Sequence, residues 1–167
     1  MAYRKKSWNE KLKDRTGYPK ILKLERGFPC YNALHKMGLD VGDDVVIVNH
    51  SEVVELMRKV PEGKVTTIID ICRELGRRHE VKAGCTLVGG ISVSTAANAV
   101  EEARSEGRDL DIPYWRTLKA DGMLNEKFPG GERRHKELLE REGHKVSKRG
   151  AHYVLDGLGT SRFDWPA

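Results

Sequence analysis

Apolar residues recur at helical spacing in several stretches of the chain, and short polar turns separate these stretches. The clearest stretch follows Asn49, where four apolar residues fall on one helical face: Val53, Val54, Met57 and Val60. Asn49 and Glu52 have the spacing of an N-terminal capping box, in which side chains satisfy free backbone N–H groups. Pro61-Glu62-Gly63 then breaks the pattern. We therefore predict a helix that starts at Asn49 and ends before Pro61.

The same kinds of signal predict four further helices. They run from Ser7 to about Asp14, from Ile68 to Leu75, from a cap at Ser94 or Thr95 to about Glu106, and from about Glu132 to Arg141. Thr67 with Asp70 marks the start of the second of these helices, and Gly76 is expected to end it. Two short helices followed by a turn are typical of a helix-turn-helix arrangement, although the connection between them is unusually long.

Strand signals are weaker and shorter. Thr86-Leu87-Val88 and Ile91-Ser92-Val93 flank Gly89-Gly90, a pattern that favours a tight β-hairpin. His152–Leu155 predicts one more short strand. The expected fold is α+β, a mainly helical winged helix-turn-helix-like domain with short strands. We expect an N-terminal basic extension at 1–43, a central domain at 44–145 and a C-terminal tail at 146–167.

Charge changes this picture, because the excess of basic residues is uneven. The chain has 167 residues and a net charge of +5. Two clusters carry most of the excess: Arg4, Lys5, Lys6, Lys11, Lys13, Arg15, Lys20 and Lys23 near the N-terminus, and Arg133, Arg134, Lys136, Lys145, Lys148 and Arg149 near the C-terminus. Such clusters attract phosphate backbones through counterion release, and they equally suit a solvated surface. Nucleic-acid binding is thus one of two interpretations.

Cysteine content and hydropathy restrict the setting. Cys30, Cys72 and Cys85 are odd in number and lack metal-ligand spacing, which favours a reduced cytoplasmic location. No apolar run approaches the roughly 20 residues of a membrane helix, and the basic N-terminus has no apolar stretch behind it, so we expect no membrane span and no signal peptide. We expect no metal and no cofactor.

Five segments, in order and at suitable spacing, resemble the O6-alkylguanine-DNA alkyltransferases over roughly 45–144. They are Val60-Pro61-Glu62-Gly63-Lys64-Val65-Thr66-Thr67, Ala96-Ala97-Asn98-Ala99-Val100, Ile112-Pro113-Tyr114-Trp115-Arg116, Phe128-Pro129-Gly130-Gly131 and Leu138-Leu139-Glu140-Arg141-Glu142-Gly143. The third segment is similar to the Pro-Cys-His-Arg core of the family's active site. Residues 77–94 have no clear counterpart in the family.

The resemblance implies a DNA-binding domain whose acceptor is missing. In the family a cysteine thiolate takes the alkyl group from guanine O6, activated through histidine and a buried glutamate. Here Tyr114 stands at the cysteine, Trp115 at the histidine and Glu142 at the glutamate. A tyrosine hydroxyl has an ordinary pKa of about 10, and an indole N–H only donates. The chain therefore resembles the alkyltransferase-like proteins, which bind alkylated guanine without repairing it and pass it to excision repair.

The resemblance also assigns residues to two sites. Tyr114, Trp115, Arg116 and Glu142 would form a base pocket. The rings could wall the pocket or simply pack in the core, and Glu142 could be purely structural. A second set would contact DNA: Thr66, Thr67, Ser94, Thr95 and Asn98. For the hydroxyl residues, helix capping and phosphate contact are both open.

We therefore predict a non-catalytic, monomeric binder of duplex DNA with an alkylated guanine, in contact with excision-repair proteins. One alternative is an alkyltransferase that uses Cys85, which lies near Arg77, Arg78, His79 and Lys82 in sequence; a small buried residue is the other interpretation of Cys85. A second alternative is a winged-helix regulator that reads DNA sequence, and a third is RNA binding.

Overall fold

The computed structural model describes residues 4–15 and 17–166, and helices dominate its regular structure. The helices are α1 (Trp8–Lys13), α2 (Tyr31–Lys36), α3 (His50–Met57), α4 (Ile68–Arg78), α5 (Thr86–Ser105), α6 (Gly131–Arg141) and α7 (Leu158–Ser161). A 3-10 turn, Tyr114–Arg116, lies between α5 and α6. Helix α5 is central, because α1, α3, α4 and the 3-10 turn all pack against it.

The strands are short and form three small sheets. They are β1 (Lys20–Lys23), β2 (Asp44–Ile47), β3 (Thr66–Thr67), β4 (Ala83–Gly84), β5 (Thr117–Leu118), β6 (Val146–Arg149) and β7 (His152–Leu155). The first sheet has the order β1-β2-β4, with β1 antiparallel and β4 parallel to β2; β3 pairs in parallel with β5, and β6 with β7 as an antiparallel hairpin. The predicted fold class, mainly helical α+β with short strands, is confirmed.

Helix α1 is fixed at its start and along its side. The side chains of Ser7 and Glu10 accept from each other's backbone N–H groups, so the helix begins with a capping box. The Glu102 carboxylate on α5 then accepts from the backbone N–H groups of Trp8 at 3.0 Å and Asn9 at 3.1 Å. The segment predicted as a basic extension thus packs on the central helix, and its strand β1 pairs with β2.

Helix α3 confirms the prediction made from Asn49. The Asn49 side chain accepts from the backbone N–H of Glu52 at 3.2 Å. The helix ends at Met57, three residues short of Val60, which is nevertheless buried.

Helix α5 corrects the predicted β-hairpin. Residues 86–105 form one helix of 20 residues that begins after Cys85, so neither Ser94 nor Thr95 is a cap. The Gly89-Gly90 pair is not a turn. A Cβ at Gly89 would lie 3.0 Å from the Cys72 sulfur, so glycine here lets α5 approach α4 closely. The hairpin prediction was wrong because this packing requirement looks, in sequence, like a turn signal.

Gly76 shows the same effect in α4. It was expected to end the helix, but α4 continues to Arg78. A Cβ at Gly76 would lie 2.7 Å from the Ala83 Cα, which leaves no room for any side chain. Gly76 therefore serves the contact between α4 and β4, and its φ is not in the left-handed region.

The predicted C-terminal tail folds back on the start of α4. Val65 donates its N–H to the Ser161 carbonyl at 2.9 Å, and Phe163 donates to the Val65 carbonyl at 2.7 Å. Arg162 forms an ion pair with Asp70 at 2.8 Å. The predicted strand at 152–155 is confirmed as β7. Among the described helices, none combines the length and apolar character needed to cross a membrane.

Candidate nucleic-acid interface

Tyr114 fills the centre of the segment expected to form a base pocket. Its side chain is fully buried in the main core, with Phe128 edge-on at 5.2 Å and Trp115 at 5.4 Å between ring centroids. The hydroxyl donates to the Glu101 carboxylate on α5 at 2.7 Å. Burial, reinforced by this carboxylate, raises the pKa of Tyr114 far above its ordinary value. Tyr114 is therefore a neutral phenol at any physiological pH.

Glu142 organises the other predicted pocket residues. Its carboxylate accepts from the Trp115 indole N–H, from Arg116 Nε at 2.7 Å and from the Gly63 backbone N–H at 3.2 Å. Arg116 also donates to the Val60 carbonyl at 2.8 Å. The Glu142 side chain is only 6% exposed and that of Arg116 only 16%. The structure thus joins Trp115, Arg116 and Glu142, three of the residues predicted for the base pocket, as one hydrogen-bonded unit.

His135 supports this unit from α6 and was missed by the sequence analysis. Its Nδ1 accepts from the Asn125 backbone N–H at 3.0 Å, so its Nε2 carries the proton and donates to the Trp115 carbonyl at 2.8 Å. Burial lowers the pKa of His135 to about 4. The position of His135 on the same helical face as Leu138 and Leu139 was the signal that it points inward.

The expected aromatic pocket wall needs a correction. A cavity of about 190 Å³ touches Trp115 and Arg116, and its other walls are mostly charged: Arg58, Arg104, Asp109 and Asp111. Tyr114 does not line it. Tyr114 is core, because its ring occupies the space between the 3-10 turn, Phe128 and α5.

Thr66 and Thr67 are buried, which contradicts their predicted contact with DNA in this conformation. The Thr66 hydroxyl accepts from the Trp165 indole N–H at 3.0 Å. The Thr67 hydroxyl caps α4 by accepting from the Asp70 N–H at 3.2 Å. The capping interpretation is confirmed for Thr67. The C-terminal segment covers both residues, and no local sequence signal pointed to that.

Ser94, Thr95 and Asn98 lie together on α5. Thr95 Oγ1 donates to the Ile91 carbonyl at 2.8 Å, and Asn98 Nδ2 donates to the Ser94 carbonyl at 2.9 Å. Thr95 is buried, whereas Ser94 and Asn98 are half-buried. Ser94 and Thr95 line the open cavity described next, and Asn98 is not among its lining residues.

A cavity of about 400 Å³, here called the Trp8 groove, lies between Trp8, the first half of α5 and the 119–127 loop. Its lining includes Trp8, Leu87, Ile91, Ser94, Asn125 and Lys127. Trp8, Leu87 and Ile91 are exposed large apolar residues. Within the groove, Lys119 is paired with Glu126 at 3.2 Å. No sequence pattern indicated this site, because residues 86–93 were predicted to form a β-hairpin.

Cys85 is buried in a second apolar cluster, beside the thiol of Cys30. Burial raises the pKa of Cys30 to about 11 and that of Cys72 to about 12. Three of the four basic residues expected near Cys85 are paired elsewhere: Arg77 with Glu74, Arg78 with Glu55 and His79 with Glu52. The fourth, Lys82, is exposed. Within 4–15 and 17–166, no group of three or more His, Cys, Asp or Glu side chains is arranged to hold a metal ion.

Comparison with known proteins yields one family and two solved structures. The family described as 6-O-methylguanine DNA methyltransferase, DNA binding domain, matches residues 49–144. A crystal structure of S. pombe Atl1 in complex with damaged DNA containing O6-carboxymethylguanine is 20% identical, covers 69% of this chain and 94% of its own, and gives a TM-score of 0.50. A crystal structure of S. pombe ATL in complex with DNA is 19% identical with the same coverage and a TM-score of 0.49. No curated protein matches the chain.

Proposed function

This chain belongs to the 6-O-methylguanine DNA methyltransferase family, DNA binding domain, and we propose that it binds DNA containing alkylated or otherwise modified bases without accepting the alkyl group. The observation that carries this proposal is the state of Tyr114 at the position of the acceptor cysteine. Its hydroxyl is buried and neutral, and it already donates a hydrogen bond to the Glu101 carboxylate.

The chemistry of acceptance is missing at each step. Dealkylation needs a nucleophile that is deprotonated and within reach of the alkyl carbon. Tyr114 is neither. The residue that would take its proton is replaced by Trp115, whose N–H donates to Glu142 and offers no basic atom. Glu142 is engaged by Arg116 and Gly63 as well. We therefore assign Glu142 a structural role, and we assign a catalytic role to no residue.

Three observations support the DNA-binding half of the proposal. The family match is to a DNA-binding domain, and the S. pombe protein of similar fold was crystallised with damaged DNA. The net charge is +5, with basic residues clustered near both ends. Two acidic residues on α5 are engaged within the protein: Glu101 pairs with Arg104 and accepts from Tyr114, and Glu102 accepts from α1. Hydrogen bonds from Asn9 and Trp8 hold the pKa of Glu102 below its ordinary value.

The finer parts of the prediction remain part of this proposal. They are the domain boundaries after residues 43 and 145, duplex DNA as the ligand, excision-repair proteins as partners, a monomeric state and a cytoplasmic location. A regulator that reads DNA sequence is the second candidate, and it would prefer one undamaged duplex sequence. An alkyltransferase that uses Cys85 is disfavoured, because Cys85 is buried and three of the four basic residues near it in sequence are paired with carboxylates.

Two measurements test the proposal together. Incubation with duplex carrying a radiolabelled O6-methylguanine is expected to leave no label on the protein, and binding of methylated duplex is expected to exceed binding of plain duplex at fixed salt. Stoichiometric labelling that Cys85→Ser abolishes would establish the alkyltransferase alternative. Replacing Lys5 and Lys6, or Arg133 and Arg134, by Ala is expected to weaken binding to all duplexes equally. Failure to bind any duplex at low salt would refute the proposal.

A further inference from the structure

A second groove, of about 220 Å³, opens between α1, α3 and the 110–112 segment, and it shares no lining residue with the Trp8 groove. It is here called the Asn9 groove and is defined by Asn9, Leu12, Lys13, Arg15, Arg58 and Leu110. Small-molecule sites commonly measure roughly 300–1,000 Å³, so the Asn9 groove is too small for a whole cofactor or nucleotide. Its size suits one large apolar side chain that a partner inserts as an anchor.

The floor of the Asn9 groove is apolar and continuous with the main core. Leu12 and Leu110 are half-buried and pack against the main core cluster. Val54 and Ile112, which also line the groove, are buried. An apolar anchor placed here removes apolar surface of both molecules from water, which favours association.

Asn9 supplies the observation that points to a ligand. It is only 8% exposed, and its Nδ2 donates to the Ala99 carbonyl at 3.1 Å and to the Glu102 carboxylate at 2.8 Å. These two bonds fix which end of the amide carries the oxygen. Within residues 4–15 and 17–166, Asn9 Oδ1 accepts no hydrogen bond. Because a nearly buried acceptor without a donor is costly, the groove favours a ligand that brings an N–H group, as a peptide backbone does.

Three cations lie at the rim of the Asn9 groove. Lys13 and Arg15 are exposed at the end of α1, and Arg58 is exposed directly after α3. Arg58 donates to the Leu110 carbonyl at 2.8 Å and to the Asp111 carbonyl at 3.2 Å, so its charge has a fixed position. Among the residues that the structure describes, none of the three cations pairs with a carboxylate. A ligand with carboxylates beside its apolar anchor would complement this rim.

A DNA backbone would also complement the charge, but it does not suit the rest of the groove. Phosphate oxygens are acceptors, so they cannot pair with Asn9 Oδ1. Phosphates also gain nothing from the apolar floor at Leu12 and Leu110. An acidic peptide provides the anchor, the backbone N–H and the carboxylates together, so the whole set of features favours a peptide over DNA.

A second copy of this chain is the other possible occupant. Val41 is 54% exposed between Asp40 and Asp43, and this turn is both apolar and acidic. However, the Asp43 carboxylate already accepts from the Asp40 N–H at 2.8 Å. A contact between this turn and the groove of another copy joins two different surfaces, which builds rings or open filaments of copies. A different protein is therefore the favoured partner.

We propose that the Asn9 groove binds a short acidic segment of a partner protein. One large apolar side chain of the segment enters the cavity, and a backbone N–H donates to Asn9 Oδ1. Carboxylates on either side of the anchor pair with Lys13, Arg15 and Arg58. Asn9, Lys13 and Arg15 lie outside residues 49–144, the part of the chain that matches the family. Binding of such a segment does not depend on the DNA binding proposed above.

Fluorescence anisotropy with labelled peptides tests the chemistry of the groove. The probes are end-capped peptides Glu-Asp-X-Asp-Glu, in which X is Leu, Ile, Met, Phe, Tyr or Trp. One control peptide carries Ala at X, and a second carries Gln and Asn in place of the acids. At least one probe is expected to bind roughly tenfold more tightly than both of its controls, and to bind more weakly as salt rises. If no probe binds more tightly than its controls, the proposal is wrong.

Variants of the full chain locate the peptide. Lys13→Glu combined with Arg15→Glu is expected to weaken the best probe roughly tenfold, whereas Lys148→Glu, at an exposed lysine on β6, should change its affinity by less than about twofold. Leu110→Trp fills the cavity and is expected to abolish binding, whereas Ile21→Trp, at a residue 55% exposed on β1, should leave it intact. Urea unfolding checks that each variant folds. Unchanged affinity in the double variant would place the peptide elsewhere and overturn the proposal.

Two further measurements separate the other occupants. Displacement of the bound peptide by plain duplex at the same salt would assign the rim cations to DNA and refute the proposal. Sedimentation velocity is expected to show a monomer. Self-association that Val41→Lys abolishes would assign the groove to a second copy and would equally refute it. Peptide binding by a protein that binds no duplex would leave the Asn9 groove standing while the proposed function fails, so the two failures are distinguishable.

Discussion

The 3-10 turn at Tyr114–Arg116 and the Trp8 groove are opposite kinds of site in one small protein. The turn carries the clearest resemblance to a known active site, yet its side chains are buried and hydrogen-bonded to one another. The groove lies partly in residues 1–43 and 86–93, outside the resembling segments, yet it has exposed large apolar side chains, Trp8 among them. A segment that resembles an active site can therefore serve as scaffold when it holds no reactive residue.

The physical difference is the degree to which polar groups are satisfied. Around Glu142 each acceptor oxygen has a donor, and Tyr114 and Trp115 each donate a hydrogen bond to a carboxylate. Such a network rigidifies its surroundings and leaves nothing to offer a ligand. In the Trp8 groove, Asn125 Nδ2 donates no hydrogen bond within residues 4–15 and 17–166. The comparison predicts that changes at the turn will affect stability, and changes at the rim of the groove will affect the affinity for DNA.

The largest effect is expected from Glu142→Ala. It leaves Arg116 nearly buried without its carboxylate, and breaking a buried pair from one side costs about 3–5 kcal/mol of the free energy of unfolding. Urea unfolding measures the loss. Glu140→Ala, at an exposed residue on α6, is the control and is expected to change stability by less than about 0.5 kcal/mol. Equal unfolding midpoints for wild type and Glu142→Ala would show that the turn is not scaffold.

A smaller effect is expected from acid, through His135. Its pKa is about 4 in the folded protein and 6.5 unfolded, so the unfolded chain binds the proton more readily. Stability is therefore complete above pH 6.5 and falls between pH 6.5 and about 4, with roughly 2 kcal/mol lost between pH 7 and pH 5. Urea unfolding at both pH values measures this loss. His135→Gln should flatten that part of the profile, and an unchanged slope would exclude His135 as its source.

Removal of the Tyr114 hydroxyl is expected to cost less. Tyr114→Phe deletes one hydrogen bond to the Glu101 carboxylate, worth about 1.5 kcal/mol of unfolding free energy, the low end for a charged acceptor because Glu101 keeps its ion pair with Arg104. Tyr153→Phe, at a half-buried tyrosine on β7, serves as the control in the same thermal and urea measurements. Affinity for methylated duplex should stay at the wild-type value in Tyr114→Phe. A selective fall in that affinity would instead indicate that Tyr114 contacts the base.

The smallest effect is expected from Lys127→Ala at the rim of the Trp8 groove. Losing one phosphate contact should reduce the slope of log K against log salt by about 0.9. It should weaken binding to plain and methylated duplexes alike. Filter binding or fluorescence anisotropy over a salt series measures the slope. Lys82→Ala, at an exposed lysine beside a different cavity, should leave the slope unchanged. An unchanged slope for Lys127→Ala would show that Lys127 makes no phosphate contact at the rim of the groove.

Several features of this protein were determined by the sequence alone, because they depend on neighbouring residues. The starts of α1, α3 and α4 follow from Ser7, Asn49 and Thr67, because each of these side chains accepts from a backbone N–H only three residues ahead. The α6 helix follows from its own periodicity. Tyr114 and Trp115 provide no nucleophile that could accept an alkyl group, and this follows from their side-chain chemistry whatever surrounds them.

Only the tertiary structure decided the remaining features, because each depends on contacts between distant parts of the chain. Gly76 and Gly89 resemble helix-breaking signals in sequence, and their role as close-packing residues is set by Ala83 and Cys72. Thr66 is exposed or buried according to where Trp165 lies. The Trp8 groove exists because α1, the first half of α5 and the 119–127 loop meet in space. No local pattern encodes such a meeting, since it is chosen by the burial of apolar surface over the whole domain.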